Sequence, residues 1–489
     1  MIKKEIMKNI VHRIKLSVWV LLVLFVTTSC ESWLDVKPKT EEEAERMFST
    51  EEGFKSALAG TYISLSQPEL YGRELTFGMV GVLGQEWEKG GTLDQTSSAY
   101  SFFLRYRYDE TVSKAIVEKV WGEMYKTIAN VNTLIEYTDK KRDVLKGNNY
   151  EIIRGEALAL RAFIHFDLLR LYAEADFSEA AEVSIPYVKE AKPAIAPQYT
   201  PADVVELILG DVKDALDLLE KDPIYTGQDV SGEDNGYLAN RNFHLNYYAV
   251  QGLKARVLAY AKQMDKAAEA ALIVIGAQES KNIFPWVKKN DINPSDVTLK
   301  DRTFSTEHLF ALNTIKLDEN IKGYFKETTS PMLPRQAITG GSNYLYDVAD
   351  YRLKWFDNEN GLVNVFSKFW QSDKKTVDGV VLPKRDRMPV IRISEMYYIV
   401  AESMKMSDPQ GALDKLNLVR KMRGLTEPLT DLNPDAIQQE IQKEYEREFL
   451  GEGQLFFYHK RQGTKNIATA NAVYKLPMPD LEIDLGERE

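Results

Sequence analysis

The sequence predicts a mostly helical fold: a scaffold of tetratricopeptide-like helix pairs that carries long irregular insertions. Three observations lead there. Apolar residues recur at three- and four-residue spacing over most of the chain. Two pairs of such segments are split by short breaks and carry alanine where paired helices would cross. Two stretches, 66–110 and 280–390, lack the periodicity and are rich in aromatic residues, glycine and proline. At 489 residues, length alone would suggest roughly three domains. No Ser/Gly/Pro linker divides the chain, so residues 41–489 are expected to form a single helical domain with the irregular stretches as insertions.

The elements follow in order. Residues 41–65 read as one helix, with glutamates in its first turns and Phe48, Phe54, Leu58 and Tyr62 on its apolar side. Residues 114–138 place Ile116, Val120, Tyr125, Ile128, Val131 and Ile135 on a broad apolar stripe. Residues 149–174 are apolar almost all round, as in a helix buried at the centre of a bundle. Asp167 with Arg170, and Arg170 with Glu174, are spaced to pair along it. Thr200-Pro201 marks a helix start, with Thr200 as N-cap and the helix running to about Glu220.

Residues 244–278 and 392–424 read as helical hairpins, broken near 262–264 and 407–410. Ala255, Ala267 and Ala271 in the first, and Ala401 and Ala412 in the second, are the small residues expected at the crossings. Residues 434–460 read as a last helical stretch before an extended tail.

The N-terminus has a different character. Lys3, Lys4, Lys8, Arg13 and Lys15 precede a short apolar run from Leu16 to Val26, and small residues lead into Cys30, the single cysteine. A membrane-spanning helix needs about 20 apolar residues, so residues 1–29 read as an export signal. A cysteine directly after small residues points to lipidation at Cys30, followed by an extended tether over 30–40. Removing 1–29, with five basic residues and one acid, takes 62 basic and 73 acidic residues to 57 and 72, a net charge of −15. That balance argues against nucleic acid and against electrostatic docking on anionic headgroups. It suits a soluble body held by acyl chains.

Motifs for catalysis are missing. There is no phosphate-binding glycine loop and no Gly-x-Ser-x-Gly turn. His12, His165, His244, His308 and His459 form no close ligand pair, and zinc ligation by cysteine is excluded by the single Cys30. No cofactor or metal is expected. His165 sits in the most apolar helix and reads as a satisfied core residue. A carboxylate pair for glycoside hydrolysis has no local context to favour it.

The insertions are more suggestive. Sugars offer apolar C–H faces that stack on Trp and Tyr, and hydroxyls that bond to Asn, Asp, Glu and Arg. Candidate contacts are Tyr71, Arg73, Glu86 and Trp87 in the first insertion, and Trp286, Tyr324 and Trp370 in the second. Trp87, beside Glu86 in a Gly-rich segment, leads. Trp355 is better read as core. For all of them the competing reading is packing of the insertions against the helices.

Taken together, the segments resemble the SusD/RagB family of outer-membrane nutrient-binding lipoproteins. The similarity runs through Cys30, Leu34, Asp35 and Pro38, then Trp121, Tyr125 and Asn130. It continues with Glu156-Ala157 and Leu160-Arg161-Ala162, Asp350-Tyr351-Arg352, and Lys368-Phe369. Arg392 with Glu395, Ala401-Glu402-Ser403, and Ala412, Asn417, Arg420 and Gly424 follow, and Glu448-Phe449 with Glu452-Gly453 close it. Leu455, Tyr458, Met422 and Arg423 depart from the pattern. The charged residues of these motifs lie within apolar helices and are expected to pair.

The resemblance implies a SusD-like fold, a cell-surface location on the outer membrane, and a glycan or similar nutrient bound by the insertions. It also implies delivery to a SusC-like TonB-dependent transporter. A tethered receptor has no passage of its own through the membrane, and shared tethering raises the effective concentration of the two partners. Two other readings stay open at this point: a surface-anchored helical glycan hydrolase, and a repeat scaffold that binds peptide or protein.

Overall fold

A computed structural model describes Met7 and residues 39–486, other than 179–180, 193, 231, 327, 329, 336–345, 357–364, 373–375, 378–379, 382–383 and 469. The expected leader, Cys30 and nearly all of the 30–40 tether lie outside the described residues. Among the described residues, those up to Thr50 fall in one unit and those from Glu51 onward in another.

The expected 41–65 helix is two helices, α1 (Lys39–Met47) and α2 (Glu51–Leu65). The Ser49 hydroxyl donates to the Arg46 carbonyl at 2.7 Å, a side-chain bond that competes with continued helix. Glu51 and Glu52 then favour a fresh N-terminus.

Helices α3 (Thr111–Lys140), α4 (Asn149–Tyr172) and α5 (Pro201–Leu219) pack in sequence. As its composition predicts, α4 is buried on every face. Thr200 caps α5, its hydroxyl accepting from the Asp203 N–H at 3.2 Å. Asp167 and Arg170 pair within α4. Arg170 does not reach Glu174: α4 ends at Tyr172, Ala173 is extended, and the i,i+4 geometry is lost. Arg170 turns instead to the Gln454 amide.

The two predicted hairpins are α6 (Tyr247–Tyr260) with α7 (Met264–Lys281), and α8 (Ile393–Met404) with α9 (Pro409–Met422). Helix α7 also packs on α8, so the pairs stack. Ala255, Ala267, Ala271, Ala401 and Ala412 are all fully buried. The last helical stretch is again two helices, α10 (Pro434–Glu448) and α11 (Leu455–Gln462). Gly451 and Gly453 separate them, both at positive φ. At Gly453 an added Cβ would lie 2.2 Å from the Leu75 carbonyl oxygen, so the chain passes too close for any side chain.

The strands among the described residues are short. They are β1 (Trp87–Lys89), β2 (His308–Asn313), β3 (Leu333–Pro334), β4 (Thr376–Val377), β5 (Val380–Val381), β6 (Arg387–Arg392), β7 (Asn466–Ile467) and β8 (Ala470–Asn471). They pair antiparallel as β1–β3, β2–β6, β4–β5 and β7–β8. No described helix is long and apolar enough to cross a membrane.

The charged residues expected to pair do so in the interior. Glu156 receives Arg241 at 2.6 Å, Arg161 meets Asp211 at 2.7 Å, and Arg256 meets Glu395 at 2.5 Å. The largest group centres on Glu448, which is fully buried and takes Arg392 and Arg423 at 2.5 Å and Arg352 at 3.0 Å. Arg423, a departure from the family pattern, also bridges to Glu307 at 2.5 Å. Lys368 closes the group on Glu452 and on the carbonyls of Glu448 and Leu450. Removing one member would strand the others without compensation. This group fastens Asp350, Arg352 and Lys368 of the second insertion to the C-terminal helices.

Candidate functional site

The two insertions, far apart in sequence, are joined. Trp87 of β1 pairs with Pro334 of β3, and Lys89 with Leu333. The Arg335 N–H extends the contact to the Glu86 carbonyl at 2.9 Å. Gly90 makes this possible: at φ +95° it lets the backbones meet where a Cβ would sit 1.9 Å from the Pro331 oxygen.

Beside this junction lies a cavity of about 160 Å³. The first insertion contributes Gly84, Gln85 and Glu86, and the second contributes Pro334, Arg335, Tyr346 and Phe356. Helices α10 and α11 supply Gln442, Glu446, Leu455 and His459, and the β7–β8 hairpin closes one side with Asn466, Ile467 and Ala468. The lining mixes aromatic and aliphatic surface with a few polar groups, the usual make-up of a small-molecule site. Tyr346 and Phe356 are both buried, with rings 5.6 Å apart, and the Tyr346 hydroxyl donates to the Arg447 carbonyl at 2.9 Å.

Two ionisable groups in the lining are held neutral by burial. Desolvation pushes the Glu86 carboxyl up to about 8, against a bond from the Gly451 N–H and the charge of Lys368. Its Oε2 accepts from Gly451 at 2.7 Å, and its Oε1 is enclosed with no partner among the described residues. Desolvation likewise brings the His459 imidazole down to about 4. Among the described residues no cluster of His, Asp or Glu could hold a metal ion.

The residues singled out from sequence separate into groups. Glu86 lines the cavity. Trp87 does not face solvent: it is fully buried, with its indole against Phe325 and Phe366. Arg73 and Tyr324 come together on a half-exposed patch, the guanidinium 5.9 Å from the ring centre, with Tyr100 beneath and Glu74 pairing Arg73 at 2.7 Å. Tyr71 is buried, bonded to Asp167 and stacked on Phe163. Trp286 lies apart from the cavity, with Arg423 at 5.4 Å from its ring and Tyr397 beside it. Trp370 is buried, and its indole N–H has no partner among the described residues. Trp355 is core, as read from sequence, donating to the Arg302 carbonyl at 2.7 Å. His165 is a satisfied core residue between the Arg161 carbonyl and the Val188 N–H.

Sequence reasoning missed Arg335, Gln442, Glu446 and His459 as lining residues. Only Arg335 lies in an insertion; the others sit on helices whose local pattern reads as ordinary amphipathic surface, and no sequence signal marks them.

Comparison with known proteins follows this geometry. Residues 32–228 match a family described as "Starch-binding associating with outer membrane", and residues 229–477 match the SusD family. The SusD-like protein P38 of Formosa agariphila is 24% identical over 270 residues, covering 54% of this chain and 46% of that protein. The chain thus spans under half the length of that curated relative. Among solved structures, a SusD superfamily protein of Bacteroides vulgatus superposes with a TM-score of 0.67 at 19% identity, covering 90% of this chain and 98% of that one. The surface glycan-binding protein A of Bacteroides uniformis gives 0.62 at 17%, covering 90% and 99%. The mostly helical architecture is that of these structures, the matched SusD profile spans more than half of the sequence, and the chain belongs to the SusD family.

Proposed function

We propose that this protein is a surface-tethered receptor that captures an oligosaccharide in the cavity at the β1–β3 junction. It then passes the sugar to a SusC-like transporter in the outer membrane. The observation that carries this reading is the cavity itself, built where the two irregular insertions meet and lined by Tyr346 and Phe356 together with Gln442 and Glu446. Family membership supports it, since relatives are described as starch-associated or glycan-binding. The half-exposed Arg73–Tyr324 pair offers a second stacking surface on the same insertions.

One observation speaks for hydrolysis instead. Glu86, held as a neutral acid, and Glu446 both line the cavity, and a glycosidase needs an acid and a carboxylate. Binding remains the better reading. Both oxygens of Glu86 are committed or enclosed, so its proton has no path to a glycosidic oxygen.

The test is to incubate the purified mature protein with a glycan panel, reading binding by calorimetry and cleavage by chromatography. Binding without cleavage is expected. Cleavage would establish the hydrolase, and no binding to any glycan would refute the receptor. Gentle detergent extraction with a tag on this protein should recover a large β-barrel partner at near-equal stoichiometry. Cys30→Ala should lose the acyl chains and leave the membrane fraction.

A further inference from the structure

We propose that Arg335 is a specificity residue that binds an anionic group on the saccharide, so that the cavity selects a sugar bearing a carboxylate or a sulfate ester. This rests on the glycan-binding reading above and narrows its ligand class. The physical case begins with four buried arginines elsewhere in the chain. Arg161 has Asp211, Arg241 has Asp222 and Glu156, Arg256 has Glu395, and Arg461 has Glu402. A guanidinium withdrawn from water needs a counter-charge, and each of these has one.

Arg335 is half-buried and has none among the described residues. Its Nε donates to the Gln85 carbonyl at 2.9 Å. Its Nη2 donates to Gln85 Oε1 at 2.6 Å and reaches the Trp87 carbonyl at 3.5 Å. All three acceptors are neutral. Gln85 is itself fixed, taking φ +58° and donating its amide to the Leu104 carbonyl at 3.0 Å. One edge of the guanidinium is therefore locked in place, and Nη1 has no acceptor among the described residues. Burial depresses the proton affinity of this side chain, the charge of Glu88 opposes this, and the two form no ion pair among the described residues.

The cavity does not supply the missing charge. Glu86 and His459 are neutral at pH 7. Glu446 accepts from Gln442 Nε2 at 3.0 Å and makes no ion pair with Arg335. That leaves Arg335 to take the anion on the sugar. Arginine suits both carboxylate and sulfate oxygens because its planar fork matches their geometry. At about 160 Å³, the cavity is below the roughly 300 Å³ of sites for drug-sized ligands. It fits one terminal sugar unit, with the rest of the chain outside.

Calorimetry on the mature protein tests this with three probes: neutral galactotetraose, tetragalacturonate, and a sulfated carrageenan tetrasaccharide. One of the acidic probes is expected to bind, more weakly at higher salt, and to be displaced by free sulfate. The arm that binds tells carboxylate from sulfate. Arg335→Gln should weaken that binding about tenfold to a hundredfold, with Arg335→Lys in between. If Arg335→Gln folds poorly, the salt dependence and sulfate competition of the wild-type protein decide alone. Binding of the neutral probe only, or acidic binding untouched by salt and by Arg335→Gln, overturns this inference while leaving the receptor reading intact. Failure of all three probes, with binding to no other glycan, overturns both.

Discussion

The indole N–H of Trp87 donates to the Phe77 carbonyl across 2.8 Å, from a side chain with no exposed surface. This ties the start of β1 to the segment before Met79–Leu83 and makes Trp87 a core residue of the β1–β3 junction rather than part of the cavity lining. Trp87→Ala should therefore destabilise the protein by about 3–5 kcal/mol. A denaturant titration should record that loss. Ligand affinity of the fraction that remains folded should be nearly unchanged.

Glu448 offers a sharper stability test. It answers three guanidiniums at once, so Glu448→Gln should cost about 3–5 kcal/mol, while Glu123→Gln on the exposed face of α3 should cost under about 1 kcal/mol. Chemical denaturation of both variants measures the contrast.

The same carboxylates set the acid limit. Burial alone would raise Glu156 and Glu444, yet Arg241 with His244, and Arg352 with Arg447, outweigh it and bring each to about 2. Arg423 and Arg392 hold Glu448 well below the usual range in the same way. Folded values below unfolded ones mean that the stabilisation is complete above about 4.5 and is lost as pH falls towards 2. Stability measured from pH 6 to pH 2 should fall steeply through that window.

Glu86 works in the opposite sense. Burial raises it to about 8, so the folded state keeps a proton that the unfolded chain releases near 4.5. Its contribution therefore erodes as pH rises from about 4.5 to 8. Glu86→Gln should flatten that decline, seen as a smaller loss of melting temperature between pH 5 and pH 8 than in the wild-type protein.

Gly453→Ala should be harmful beyond its size. A left-handed backbone costs an L-residue about 1–2 kcal/mol, and the new Cβ would overlap the Leu75 carbonyl. Thermal unfolding should show a larger loss than for Gly122→Ala, where nothing lies within 4 Å.

The scaffold was readable in the sequence because helix burial leaves a periodic trace. The apolar run of α4, the Thr200 cap and the crossing alanines all express local rules. The helix breaks at 48–50 and 449–454 were not read, since one depends on a serine bond to a carbonyl and the other on a close approach to Leu75. The site was legible only as a region. Trp87 carries the same composition signal whether it stacks on a sugar or on Phe325, and burial decides between them. Arg335 owes its interest to the absence of a charged partner among the described residues, which no sequence pattern expresses.

The β1–β3 contact joins residues some 245 positions apart, so the pocket has no local existence. No fragment holding one insertion can assemble it, and the chain has no pocket until both have folded together. Occupancy and global folding are then thermodynamically linked: a ligand at a hundred times its Kd adds about 2.7 kcal/mol to the stability of the whole unit. Under the receptor proposal, the melting temperature of this protein serves as a ligand sensor, usable on crude mixtures of unknown sugars without any label.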